Sequence, residues 1–147
     1  MVPLIVLVLA FVLLRSAGFL GIHLLNNVGL PLRIALFLMF LVTASAHWGK
    51  GRPDLVRMVP PIFPHASTIV TLTGVLEILG ATGLLLQSTI RLAAICLAIL
   101  LIALFPANIR AAKEHLMILG RPAPSLVVRG AIQVIFLAAL ILVAFYH

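Results

Sequence analysis

Leu92-Ala-Ala-Ile-Cys-Leu-Ala-Ile-Leu-Leu-Ile-Ala-Leu-Phe-Pro-Ala-Asn-Ile109 runs without a charge between Arg91 and Arg110. A helix rises 1.5 Å per residue, so about 20 such residues cross a hydrocarbon core of about 30 Å. In lipid, a single segment can satisfy its own backbone only as a helix. Four further runs flank this one, which places spans near 2–24, 31–48, 66–87, 90–109 and 125–146. The runs are continuous rather than alternating, which excludes a transmembrane β-barrel. The expectation is an all-α, multi-pass transmembrane helical bundle forming one membrane domain over residues 1–147, with no linker and no fixed-period repeat.

Composition agrees. Of 147 residues, 64% are hydrophobic and 9% charged, against about 45–50% and about 25% in soluble domains. Water-soluble enzymes, DNA-binding domains and disordered tails are excluded. The first run resembles a signal-peptide core, yet no basic region precedes it and Arg15 stands where small residues would mark cleavage, so it reads as a retained span.

The formal net charge is +7, and its distribution sets an orientation. Lys50, Arg52 and Arg57 follow the second span, and Arg110, Lys113, Arg121 and Arg129 surround the link between the fourth and fifth. Only Arg33 and Arg91 border the other side. The positive-inside rule then puts the 49–65 and 110–124 loops in the cytoplasm. The expected partner is a lipid bilayer, with its anionic headgroups, and not nucleic acid.

Two charges fall inside spans. Glu77 is central in the third, where a carboxylate costs about 2.5–3.5 kcal/mol on insertion scales and needs a partner, a proton or a purpose. Thr73, Gly74, Gly80 and Ala81 share its helix face, a small surface that lets another helix approach. Arg15 lies in the first span, and an Arg15–Glu77 ion pair is expected, either to fix register or to serve function. Thr43 and His47 lie one turn apart at the end of the second span, Thr71 and Thr73 open the third, and Asn108 follows Pro106. Together His47, Glu77, Asn108, Thr43 and Thr73 are ligand-pocket candidates in one leaflet. Taken singly, His47 beside Trp48 reads as an interfacial anchor, and the threonines as bonded to their own helices.

Metal and thiol chemistry have little to stand on. His23, His65, His115 and His147 lie at or beyond span ends, so no facing pair would hold haem, and no His/Cys/carboxylate cluster suggests a metal. Cys96 stands alone in an apolar run and reads as a small hydrophobe. In the 49–65 loop, Pro53-Asp54 starts a short helix and Pro60-Pro61 stops it. Its apolar residues with Asp54 and Arg57 describe an amphipathic cap on the membrane surface.

The run Thr43–His47, then Asp54-Leu-Val-Arg-Met-Val-Pro-Pro, Leu72-Thr-Gly-Val-Leu-Glu-Ile-Leu-Gly, Arg91-Leu-Ala and Phe105-Pro-Ala-Asn-Ile resembles the DoxX family of small bacterial membrane proteins. The resemblance implies a four-helix DoxX-like core, with the first span as an extra N-terminal transmembrane helix, in the bacterial cytoplasmic (inner) membrane. It further implies a membrane subunit or accessory of a respiratory or sulfur-redox system. His47, Arg57, Glu77, Pro106 and Asn108 are the pocket candidates it carries. A quinone is the lipophilic ligand that fits, with redox partner proteins or further copies of the chain as partners, since no cofactor in the chain carries electrons. Two other readings stay open: a proton-coupled small-solute transporter or exporter, and a non-catalytic structural membrane partner.

Overall fold

A computed structural model describes residues 1–146; His147 lies outside the described residues. Six helices account for most of the chain: α1 (Val2–Phe19), α2 (Gly29–Ser45), α3 (Arg52–Met58), α4 (Ala66–Gly83), α5 (Ile90–Lys113) and α6 (Leu126–Phe145). A 3-10 turn at His23–Leu25 joins α1 to α2, and strands β1 (Met117–Ile118) and β2 (Arg121–Pro122) pair as a small antiparallel hairpin between α5 and α6. The chain is all-α apart from that hairpin.

α1, α4, α5 and α6 are each long and apolar enough to cross a membrane. α2 is shorter, 17 residues, or about 25 Å at the helical rise, the low end of what spans. It is also the central helix. It packs against α1, α4 and α6, and Ala35, Leu36, Met39, Phe40 and Ala44 are buried along it. Around them close Ala81 and Leu84 of the α4 end, Ile90, Ala94 and Leu97 of α5, and Leu140 and Val143 of α6. The outward surface is just as apolar: Leu13, Leu79, Leu92 and Val134 are each more than 60% exposed. A water-soluble protein does not present such a continuous apolar surface.

Several boundaries move from their expected places, each for a local reason. The first helix stops at Phe19 rather than near 24 because Gly21 turns the chain at φ 121°, a region that glycine enters without strain. The third span ends at Gly83 rather than 87. There Thr89 Oγ1 donates to Gly83 O at 2.9 Å, and Arg33 gathers the next carbonyls. α5 runs through Pro106 to Lys113, past the expected end at 109. A proline removes one helical bond, and beyond it Asn108 ties α5 to α6 while Arg110 reaches Val59 O at the end of α3.

The short helix expected after Pro53 forms over Arg52–Met58. Asp54 Oδ2 accepts from Leu119 N at 2.8 Å, and Arg110 Nη1 donates to Val59 O. These ties bring the 49–65 and 110–124 connections together at one end of the helices. The His23–Leu25 turn and the α4–α5 turn lie at the other.

Candidate functional site

Glu77 is placed by α4 and met by the last turn of α2. Thr43 Oγ1 donates to Glu77 Oε2 at 2.8 Å, and His47 Nε2 stands 3.6 Å from Glu77 Oε1. Both are buried, Glu77 at 5% exposure and His47 at 6%. Gly74 makes the approach possible: a Cβ there would lie 2.7 Å from His47 Cγ and 2.8 Å from the far edge of Trp48. The imidazole and indole therefore rest directly on the α4 backbone.

The other side of the imidazole fixes its protonation pattern. His47 Nδ1 is 2.6 Å from Val70 O, and a carbonyl only accepts, so Nδ1 carries hydrogen. Nε2 is then the nitrogen turned toward Glu77. With one proton on either Nε2 or the Glu77 carboxyl, the pair is neutral as a whole. That state costs least in an apolar interior. Thr73 Oγ1 lies 3.4 Å from His47 Nδ1 and donates to the same Val70 carbonyl at 3.1 Å.

Arg52 steadies the arrangement from outside. Its Nη1 donates to His47 O at 2.7 Å, while Nη2 reaches Ser67 Oγ and Thr71 Oγ1 at 2.8 and 2.9 Å. In the sequence Arg52 counts only as a topological charge. Nothing in its neighbours announces that its fork staples the α2 end to α4. Trp48 is half-exposed beside the pair, its ring centroid 6.0 Å from that of His47.

Four of the five pocket candidates thus meet: Thr43, His47, Thr73 and Glu77. Asn108 does not join them. It belongs to a separate polar ladder between α5 and α6, in which Arg129 Nη2 donates to Asn108 Oδ1, Asn108 Nδ2 to Gln133 Oε1 at 3.4 Å, and Gln133 Nε2 to Leu101 O at 3.1 Å. Depth along a helix is readable in sequence, whereas the face toward which α5 turns Asn108 is not. Gln133, the one amide in the apolar run of α6, was the signal for this second cluster.

The Arg15–Glu77 pair is corrected. Arg15 donates to the carbonyls of Leu25, Asn26 and Asn27 and lies 4.8 Å over the Phe19 ring, at the end opposite the α2–α4 pair. Carbonyls of a tight turn offer concentrated negative potential without a second buried charge. Arg33 does likewise at the α4 terminus, donating to Leu84 O at 2.8 Å, Leu85 O at 3.1 Å and Gln87 Oε1 at 3.2 Å. It caps a helix as well as carrying one of the border charges read from the sequence.

Asp54 and Arg57 pair with each other, and Asp54 also receives the Leu119 amide. That amide, with Arg57 beside it, holds the Asp54 carboxyl below the usual carboxylate range. The pair clamps α3 onto the β-hairpin segment. Among the described residues, no group of three or more His, Cys, Asp or Glu side chains could hold a metal.

Neither a curated protein nor a solved structure shows significant similarity to the chain. Residues 36–145, most of its length and all of α4 to α6, match the family described as a domain of unknown function, DUF8561, and the chain belongs to that family.

Proposed function

We propose that this chain is a DoxX-like multi-pass protein of the bacterial inner membrane, in which α2, α4, α5 and α6 form the core bundle and α1 is an added span. Its role is that of a membrane subunit or accessory of a respiratory or sulfur-redox system, with the 49–65 and 110–124 loops on the cytoplasmic side. The observation that carries the reading is the His47–Glu77 contact: a buried imidazole and carboxylate 3.6 Å apart, between helices apolar enough to lie in lipid.

A quinone takes up two protons with two electrons, and partner proteins would supply the electrons. The residues here supply the rest. Val70 O fixes His47 with Nε2 toward Glu77, so a proton can sit on either Nε2 or Oε1, and Thr43 stabilises the carboxylate when it is bare. Trp48 offers an exposed aromatic face beside that pair, on which a quinone ring would stack.

Trp48 is the only tryptophan, and quinones quench indole fluorescence. A short-chain ubiquinone analogue titrated into protein in lipid nanodiscs should quench Trp48 saturably, and His47→Ala should remove the saturation. A linear quench, equal in both proteins, sinks the quinone reading. Uptake driven by a pH gradient in that event would favour transport by the same pair.

A further inference from the structure

The chain has three acidic residues, and each is engaged away from α6. Asp54 holds Arg57 and Leu119 N, Glu77 faces His47 and Thr43, and Glu114 pairs with Arg110 at 3.0 Å. Arg15, Arg33 and Arg52 lack a carboxylate too, yet each donates to several backbone carbonyls or hydroxyls. Arg129 is different. Among the described residues one of its five N–H groups is used, by Asn108 Oδ1, and its Nε is buried with no acceptor.

Its position compounds the deficit. Arg129 lies in the first turn of α6, whose N-cap is Ser125. That is the positive end of the helix dipole, where a cation is least at home. The amide ladder behind it cannot compensate, because it hands hydrogens inward, Arg129 to Asn108 to Gln133 to Leu101 O. A half-buried guanidinium held in place by a fixed amide, at a helix start and without a counter-ion among the described residues, lacks an oxyanion.

We propose that Arg129, positioned by Asn108 and Gln133, binds the phosphate oxyanion of an anionic ligand where α5, ending at Lys113, and α6 meet the connection carrying Arg121. The charge on the ligand neutralises the guanidinium, and its oxygens accept from guanidinium N–H groups that have no acceptor among the described residues. A lipid headgroup and a free phosphate share this chemistry. The headgroup source rests on the membrane reading above; the free-phosphate source does not.

Three proteins decide it: wild type, Arg129→Gln and Asn108→Asp. The aspartate keeps the acceptor that Asn108 Oδ1 now gives Arg129 and supplies the missing counter-ion from within, at the loss of the 3.4 Å donation to Gln133 Oε1. Circular dichroism and gel filtration in detergent check that the fold is kept. In one arm, native mass spectrometry reads phosphatidylglycerol retained after its addition to the purified protein. In the other, inorganic phosphate is titrated and its 31P line width followed. Wild type should bind one of the two probes saturably, with both variants weaker by about tenfold or more, the scale of one charge-assisted contact. Loss in the lipid arm alone names a headgroup, and loss in the phosphate arm alone names a soluble anion. Variants that match wild type in both arms overturn the proposal.

Discussion

Replacing Gly74 by alanine tests the geometry of the candidate site without touching its chemistry. The added Cβ would lie 2.7 Å from His47 Cγ, 2.8 Å from His47 Cβ and 2.8 Å from Trp48 Cη2. Carbon atoms rest at about 3.5–4.0 Å, so about 1 Å has to be found. His47 cannot supply it by rotating. Its Nδ1 is bonded to Val70 O at 2.6 Å and its own carbonyl is held by Arg52 at 2.7 Å. The end of α2 must therefore withdraw from α4, lengthening the 3.6 Å contact between His47 and Glu77. Overpacking of this kind costs about 1–3 kcal/mol, partly offset by about 1 kcal/mol from the better helix propensity of alanine. Gly130→Ala in α6 is the matched control, since its Cβ would find only Phe105 Cζ at 4.0 Å, and it should gain that propensity in full. The two variants should thus separate by about 1–3 kcal/mol in detergent unfolding followed by circular dichroism. Trp48 emission should shift in Gly74→Ala alone. Equal stability of the two, with unchanged Trp48 emission, would refute the close approach of α2 to α4.

Arg33→Leu should destabilise the α4–α5 turn, because it strips the buried Leu84 carbonyl and its neighbour Leu85 of their donor. The cost is about 1–3 kcal/mol for each group left buried and unpaired, and thermal unfolding measures it; a wild-type midpoint would refute the capping role. Asp54 gives a pH dependence. Its folded-state carboxyl is depressed by the Leu119 amide and Arg57, so its stabilisation is fully present above the unfolded value of about 3.9 and disappears as pH falls through the lower folded value. Pepsin nicking of the 114–125 connection should stay slow down to that range and accelerate below it. Asp54→Asn should be nicked rapidly throughout, with no acid step; a step that survives the substitution assigns it elsewhere.

The five long helices were legible in outline because long apolar runs bounded by charged residues favour helix, although four rather than five are long enough to cross a membrane and several ends moved. The α3 helix was legible too, since Pro53 can begin a helix and Pro60-Pro61 must end one. The site was legible by composition rather than by partnership. Glu77, His47, Thr43 and Thr73 were conspicuous as polar residues in apolar runs, and Gly74 as part of a small face. Arg52 hid among the topological charges, and the ladder Asn108–Gln133–Arg129 needed two helices to be brought face to face.

The Arg15–Glu77 expectation failed at the same point. The sequence places each charge along its own helix, because rise per residue is fixed and spans are bounded by charge. It does not say which turn or neighbour a long side chain will find. Folding lodged Arg15 on the carbonyls of the turn after α1 and Arg33 on those after α4, leaving Glu77 to His47. By itself, then, the sequence determined an apolar helical protein with a misplaced carboxylate and an excess of basic residues. Only the tertiary structure decided which cations those helix and turn ends satisfy, and that among the described residues the half-buried Arg129 is left with an unpaired Nε, since carbonyl-rich ends are created by the fold and are invisible before it.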